Sequence, residues 1–140
     1  MAGQSYAIAR KEVYMAIAYN LRQARGVTVV DLSGSIRLGE TMASGSGAAA
    51  TLHGFIRDLL KQGSKNILLN LRDVSYIDSS GIGELFGCLT TARSQGGAVK
   101  LTNPNERVGN LLSLTKLNTV LEVIQDEAAA LQSFSQAGAA

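Results

Sequence analysis

The sequence predicts an α/β protein with a mixed sheet of four or five strands, in which an N-terminal antiparallel hairpin precedes alternating helices and parallel strands. Three observations support this fold class. Short apolar segments alternate with amphipathic segments of helical length along the 140-residue chain. A short turn at residues 23–26 separates the first two predicted strands, which makes them an antiparallel pair. The segment 67–71 is apolar apart from Asn70, as in a strand that is buried on both faces.

The composition is that of an ordinary globular domain. Hydrophobic residues make up 46% of the chain and charged residues 17%, and the net charge of +2 creates no strong field toward nucleic acid or an anionic membrane. No apolar run approaches the roughly 18 residues of a membrane span, and the N-terminus lacks the core of a signal peptide. The single cysteine, Cys88, suits a reducing compartment and is predicted to be a small buried side chain. We therefore expect a cytoplasmic protein that binds neither nucleic acid nor membrane.

The domain limits follow from where the periodic patterns begin and end. Residues 1–14 show no clear period and are expected to form an N-terminal extension. The first alternating segment begins at Met15, so the folded domain is predicted to span residues 15–135. The small and polar residues at 136–140 are expected to form a frayed tail.

The individual elements are predicted from the spacing of apolar residues and from the turn formers between them. Alternation and short apolar runs predict strands, and apolar residues three and four apart predict helices. The predicted strands cover residues 15–21, 27–32, 66–71, 98–101 and 120–124. The predicted helices cover residues 48–62 and 79–95, with a third that begins near Asn105 and a fourth that begins at Asp126.

The same spacing predicts which helical residues face the core. The predicted inward residues are Leu52, Phe55, Ile56, Leu59, Leu60, Ile82, Leu85, Phe86, Leu89, Ala92, Val108, Leu111, Leu112, Leu131 and Phe134. His53 falls off the apolar face of its helix and is expected to be a surface residue. Residues 35–47 are expected to form a loop. Its segment 41–47, which contains two glycines and two serines, is predicted to be mobile and dispensable for folding.

The stretch Asp78-Ser79-Ser80-Gly81 lies where the central strand is predicted to become a helix. Asp and Ser suit this position because their side-chain oxygens accept hydrogen bonds from the first free backbone N–H groups of a helix. A hydroxyl here has two interpretations. It is either a helix cap or a phosphorylation site, and the spacing alone does not decide between them.

Patterns that would indicate catalysis or cofactor binding are weak. Residues 45–50 fit the dinucleotide pattern G-x-G-x-x-A, but about ten residues separate Gly45 from the preceding strand, whereas the mechanism needs the glycines directly after it. A Walker A lysine is absent, and Ser79 has no base nearby because the only histidine lies in another helix. We therefore expect a protein that is not an enzyme, with no catalytic residue, no cofactor and no metal site.

Four stretches together resemble one protein family. The stretch Asp78-Ser79-Ser80-Gly81-Ile82-Gly83 is similar to the phosphorylation motif of bacterial anti-sigma factor antagonists, which are single STAS domains. Residues 27–34, 97–101 and 111–117 are similar to further segments of that family, in the same order. The similarity extends over about residues 15–134. It implies the STAS-type fold, in agreement with the topology predicted from the residues.

The resemblance implies a phosphorylation-switched binding module in transcription regulation, and possible roles for four residues. Ser79 is then the phospho-acceptor, and Asp78 belongs with it to the partner's contact surface. Ser80 is then the helix-capping hydroxyl, and Gly81 permits a close approach. The implied partners are an anti-sigma factor that is itself a serine kinase, which the unmodified form sequesters so that a sigma factor is released, and a serine phosphatase. The chain is then expected to be a monomer or a weak dimer, and stress response is the implied setting.

Two alternatives keep the same fold. One is a STAS module that acts as a scaffold in a larger signalling assembly. The other is a cytosolic partner of a transporter or of a lipid-transport complex. Both are binding modules, and neither needs Ser79 to be phosphorylated.

Overall fold

The computed structural model describes residues 16–37, 41–42 and 51–139. The strands are β1 (Ala16–Ala24), β2 (Val27–Ile36), β3 (Thr41–Met42), β4 (Asn66–Ile77), β5 (Ala98–Thr102) and β6 (Val123–Ile124). The helices are α1 (Leu52–Lys61), α2 (Ser79–Ser94), α3 (Glu106–Leu114) and α4 (Glu127–Ala139), and a 3₁₀ turn covers Leu117–Thr119. The predicted N-terminal extension and the glycine-rich segment 45–50 lie outside the described residues.

The strands form one mixed sheet in the order β3-β1-β2-β4-β5-β6. β1 pairs antiparallel with β2, and every other pairing among the described strands is parallel. The hairpin turn consists of Arg25 and Gly26, whose φ angles of 54° and 78° are both positive. Two such residues give the tight turn that matches the twist of a two-residue hairpin, and glycine adopts this conformation without strain. The predicted fold class is therefore confirmed, with a sixth short strand at one edge.

Both faces of the sheet are covered. Helices α1, α2 and α3 pack on one face over a large apolar core that includes Val30, Ile67 and Leu69. Helix α4 packs on the other face, where Leu131 and Phe134 meet a smaller cluster that includes Leu68. The segment 67–71 is nearly continuous in apolar residues because its successive side chains alternate between these two cores.

The described parts of the segment 35–47, residues 35–37 and 41–42, do not form the loop that the sequence predicts. Ser35 and Ile36 continue β2 past a register shift near Gly34, and Ile36 is buried. Thr41 and Met42 form β3, which pairs with Ala16 and Ile17 at the edge of the sheet. Met42 is only 2% exposed and belongs to the large core, so burial of its side chain holds this part of the chain. Residues 43–47 lie outside the described part of the chain.

Three other boundaries differ from the predicted ones. The central strand β4 continues unbroken to Ile77, because Val74 and Ile77 are buried on the core side while the residues between them face solvent. The strand β6 is shorter than predicted, since the 3₁₀ turn occupies residues 117–119 and only Val123 and Ile124 pair with β5. Helix α4 extends to Ala139, through four of the five residues that the sequence assigns to a frayed tail. Alanine at 137 and 139 favours that continuation.

Candidate functional site

The junction between β4 and α2 is fixed by Asp78. Its backbone is extended, with φ −95° and ψ −176°, and its Oδ1 accepts a hydrogen bond of 2.8 Å from the N–H of Gly81. Its own N–H donates to the carbonyl oxygen of Ile36 at 3.1 Å, which ties the junction to the end of β2. Asp78 is therefore the helix cap. The expectation that Ser80 supplies the capping hydroxyl is wrong, because Ser80 is already the second helical residue.

The two serines differ in accessibility. Ser79 is the first residue of α2 and is exposed, whereas Ser80 is half-buried. A modifying enzyme must reach the hydroxyl and align it for transfer, so exposure at a fixed helix start favours Ser79 over Ser80. The structure thus places Asp78, Ser79 and Ser80 together at one rim of the sheet, with Ser79 exposed to solvent.

Gly81 brings α2 close to β2. A Cβ atom at this position would lie 2.2 Å from the carbonyl oxygen of Ile36 and 2.7 Å from a methyl carbon of Ile77. No side chain fits at those distances, so glycine at this position permits the close approach of α2 to the chain's own strand β2, where Gly81 is buried. Its place in a partner's contact surface stays a prediction. At Gly83, one half-turn further, a Cβ atom would meet nothing within 4 Å.

Two large side chains near Ser79 are exposed although they are apolar or aromatic. Phe86 lies seven residues after Ser79, on the same helix face, and is 46% exposed. Tyr76 lies three residues before Ser79 and is 38% exposed. The prediction that Phe86 faces the core is wrong, because Leu85 and Leu89 fill the space under α2 and turn Phe86 outward. Exposed aromatic residues beside a polar group are typical of a protein-binding surface.

An apolar cleft of about 440 Å³ opens beside the same junction. Its lining residues are Tyr76, Ile77, Glu106, Arg107, Val108, Asn110, Leu111 and Leu114. Leu114, at the end of α3, is 80% exposed. The guanidinium carbon of Arg37 lies 5.0 Å from the centre of the ring of Tyr76, which is one of the lining residues. We call this cleft, with the eight lining residues given above, the Tyr76 cleft. No feature of the sequence alone distinguishes it, because it forms between a strand end and a helix thirty residues later.

His53 supports α2 from the side. Its Nε2 is 2.6 Å from the hydroxyl oxygen of Thr91, and its backbone N–H donates to a carboxylate oxygen of Glu84 at 2.8 Å. The ring also packs against Gly87, where a Cβ atom would lie 2.8 Å from Nδ1. The prediction of an ordinary surface histidine is therefore wrong: His53 lies between α1 and α2. Its polar partners come from α2, which helical periodicity within α1 cannot reveal.

A second polar cluster lies on the sheet face that α4 covers. The guanidinium of Arg22 donates to both carboxylate oxygens of Asp31 at 2.7 and 2.8 Å, and to both of Glu127 at 2.8 and 3.0 Å. Hydrogen bonds from Arg22 lower the pKa of Asp31 to about 2 and also lower the pKa of Glu127. Asn70 donates to Asp31 at 2.8 Å. We call these four residues the Arg22 clasp; its contacts are internal, so it holds α4 rather than forming a site.

Cys88 is fully buried in the large core, as predicted. Burial raises the pKa of its thiol well above the usual range. Within the described residues, no group of three metal-ligating side chains lies together, and no helix is long and apolar enough to cross a membrane. The described part of the chain therefore presents one distinctive surface: Ser79 with Phe86, the Tyr76 cleft and the charged groups around them.

Comparison with known proteins points to one domain family. A family model described as the STAS domain matches residues 18–130. A candidate anti-sigma factor antagonist of Thermotoga neapolitana is 37% identical over 75 residues, which cover 54% of this chain and 66% of the relative. The anti-sigma-B factor antagonist of Bacillus subtilis is 37% identical over 65 residues, or 46% of this chain and 59% of the relative. The matched segments thus span less than two thirds of either relative.

The fold is also found in solved structures. The structure of an anti-sigma factor antagonist (STAS) domain protein from Planctomyces limnophilus superposes with a TM-score of 0.67. The superposition covers 84% of this chain and 98% of that chain at 15% sequence identity. At this identity the likeness concerns the fold alone, and it agrees with the mixed sheet described above.

Proposed function

Because the chain belongs to the STAS domain family, we propose that it is an anti-sigma factor antagonist whose contact with its partner is switched by phosphorylation of Ser79. The proposed partner is an anti-sigma factor that is itself a serine kinase, and a serine phosphatase reverses the modification. The unmodified chain sequesters the kinase and so releases a sigma factor, and the phosphorylated chain lets the kinase go. The chain performs no chemistry of its own in this proposal.

The observation that carries the proposal is the position of Ser79. Ser79 is exposed and is the first residue of α2, directly after the capping carboxylate of Asp78. Exposed Phe86 lies on the same helix face and the Tyr76 cleft lies beside it, so a partner that reaches the serine also meets apolar surface. The names of the relatives from Bacillus subtilis and Thermotoga neapolitana support the same class of partner.

The size of the switch follows from charge. A phosphoserine carries about −2 charge, and at Ser79 it would stand beside the carboxylate of Asp78 in the proposed contact surface. Burying these two neighbouring negative charges against a partner that offers no compensating cation removes them from water, which costs several kcal/mol. Since about 1.4 kcal/mol changes an affinity tenfold, a cost of about 3 kcal/mol weakens binding more than a hundredfold. The helix dipole favours the phosphate by only about 0.3–1 kcal/mol at an exposed site, so the repulsion dominates.

The proposal is tested with purified serine kinases of the host, each incubated with this chain and ATP. We expect one kinase to phosphorylate Ser79, as located by mass spectrometry, and to bind the unmodified chain more than a hundredfold more tightly than the phosphorylated one. Ser79→Ala should abolish phosphorylation and leave binding intact, and Ser79→Asp should weaken binding. Phosphate on Ser80, or on neither serine, would overturn the assignment.

A matched control separates the position of the charge from its presence. Thr90 is exposed on the same face of α2, eleven residues after Ser79. Thr90→Asp therefore adds the same charge to the same helix but away from the junction, and we expect it to weaken kinase binding far less than Ser79→Asp. If Ser79→Asp leaves partner binding unchanged, the scaffold or transporter role replaces the switch.

A further inference from the structure

Among the described residues, Arg37 is a positively charged residue that the fold brings to the junction between β4 and α2. The carbonyl oxygen of Ile36 accepts the N–H of Asp78 at 3.1 Å, and it is also the atom that a Cβ at Gly81 would strike. Arg37 directly follows Ile36, so its backbone begins next to the contact between β2 and the first turn of α2. Its side chain is exposed, and its guanidinium lies over the ring of Tyr76.

The contact between Arg37 and Tyr76 is one that a phosphate can displace. At an exposed site a guanidinium over an aromatic ring gains little, because water still solvates the cation. A phosphate offers the planar guanidinium two parallel charge-assisted hydrogen bonds, which are shorter and stronger. Ile36, the residue before Arg37, contacts Asp78 and Gly81 on either side of the two serines, so Arg37 starts close enough for its long side chain to turn from the Tyr76 ring toward a phosphate on Ser79.

We infer that Arg37 is the intramolecular reader of phosphoserine 79: it leaves the Tyr76 ring when Ser79 is phosphorylated and pairs with the phosphate. This inference rests on the proposed function, because it takes Ser79 as the modified residue. It adds a second consequence to the modification. Departure of Arg37 uncovers the ring of Tyr76, which lines the Tyr76 cleft, so the phosphate alters the apolar part of the surface as well as its charge.

Arg107 is the other arginine at the Tyr76 cleft that could pair with the phosphate on Ser79, and it therefore serves as the matched control. It lines the same cleft from α3 and is also exposed. Unlike Arg37, its backbone is not joined to the junction through Ile36. The inference assigns the phosphate contact to Arg37 and not to Arg107, so the two arginines must behave differently when each is changed to glutamine.

The experiment uses the full chain with phosphoserine incorporated at position 79 during translation, so that no kinase is needed. The second pKa of the phosphate is measured by ³¹P NMR. A free phosphoserine has a value of about 6, and pairing with a guanidinium favours the dianion, so we expect about 5.5 in the otherwise native chain. Arg37→Gln should return the pKa to about 6, Arg37→Lys should give an intermediate value, and Arg107→Gln should leave it at about 5.5.

A second readout follows the ring of Tyr76. Its proton resonances, assigned by comparison with Tyr76→Phe, should shift when position 79 is phosphoserine, and this shift should disappear in Arg37→Gln. An unchanged phosphate pKa in Arg37→Gln, or a change with Arg107→Gln instead, would overturn the inference. Because phosphoserine is supplied genetically, that result leaves the kinase and its preference for Ser79 to be judged separately.

Discussion

The chemistry of Asp78 and of the two serines after it depends on where each stands in the first turn of α2. Asp78 precedes the helix and has the extended backbone of a cap, so its carboxylate can turn back to the N–H of Gly81. Ser79 and Ser80 already have helical backbone. Their hydroxyls are therefore not needed for capping, which leaves the hydroxyl of the exposed residue Ser79 available for modification.

The assignment of the cap can be checked by two alanine variants. Asp78→Ala removes the acceptor for the Gly81 N–H, and we expect the free energy of unfolding to fall by about 0.5–2 kcal/mol. Ser80→Ala removes no cap, and we expect a change within about 0.5 kcal/mol. Urea denaturation of both variants measures the difference. A larger loss in Ser80→Ala than in Asp78→Ala would return the capping role to Ser80.

The two glycines of the motif give opposite expectations for the same substitution. Gly81→Ala places a Cβ 2.2 Å from a backbone oxygen of β2, so the helix must move, and we expect a loss of about 1–3 kcal/mol. Gly83→Ala meets nothing within 4 Å and reduces the conformational entropy of the unfolded chain, so we expect a gain of about 0.5–1 kcal/mol. Thermal unfolding of the pair distinguishes steric contact from helix propensity. Equal effects would contradict the close approach.

At the scale of elements, side chains that are distant in sequence attach the short or terminal elements to the sheet. The Arg22 clasp joins β1, β2 and the first turn of α4 through one guanidinium. Met42, from the edge strand β3 beside β1, is buried in the large core. Each contact links a short or terminal element to the long strands, which alone would not determine where that element lies.

The clasp makes stability depend on pH. The folded pKa of Asp31, about 2, is below the unfolded value of about 3.9, so its contribution is fully present above about pH 4 and is lost as the pH falls toward 2. Glu127 acts in the same direction. We expect native stability to fall between about pH 5 and about pH 2.5, and Arg22→Gln to flatten that fall. Urea denaturation of the native chain and of Arg22→Gln at both pH values measures the difference in the free energy of unfolding.

The control for this prediction is Arg57→Gln, which breaks a contact of 3.7 Å to Asp58 on the surface of α1. Both of those side chains are about half exposed, and such pairs contribute little. Arg57→Gln should therefore keep the native pH dependence. If Arg22→Gln keeps it too, the clasp does not cause the acid sensitivity.

Strand β3 revises what is expected when the segment 41–47 is changed. Met42→Ala empties a core position that is 2% exposed, and we expect the free energy of unfolding to fall by about 2–5 kcal/mol. Leu114→Ala, at a residue that is 80% exposed, should change it by less than about 0.5 kcal/mol. Chemical denaturation of the two variants measures this. A mild effect of Met42→Ala would support the original expectation that the whole segment is dispensable.

Across the part of the molecule that the structure describes, the sheet separates the Arg22 clasp from the proposed contact surface. The junction, Phe86 and the Tyr76 cleft are built from β4, α2 and α3, and the Arg22 clasp lies beneath α4 on the other face. The large core between them is closely packed and does not deform easily. A charge added at Ser79 can therefore change binding without rearranging the fold.

This separation predicts a local response to a charged substitution. In Ser79→Asp we expect backbone amide shifts in the NMR spectrum to change around residues 36–37 and 76–83, and the amides of the Arg22 clasp to stay in place. A carboxylate at a helix start is tolerated, so the melting temperature should also be nearly unchanged. Shifts that spread to α4 would indicate a global rearrangement instead.

Sequence periodicity predicted the sheet, its hairpin and the order of its helices, because local spacing determines which face of an element is apolar. It failed where a contact joins distant elements. The sequence predicts a loop at Met42, since two residues are too few to show alternation. It predicts that Phe86 faces inward because the spacing fits the helix face, although neighbouring leucines already fill the core. The motif located the serine junction, but the cap within it depended on backbone angles.

The burial of Cys88 has a practical consequence for labelling. It is the chain's only cysteine, and with its thiol enclosed and its pKa raised, almost no thiolate is present at neutral pH. Maleimide reagents should therefore not react with Cys88 in the folded protein. A cysteine introduced at the exposed position of Leu114 can then carry a single fluorophore at the rim of the Tyr76 cleft, with the native thiol left in place.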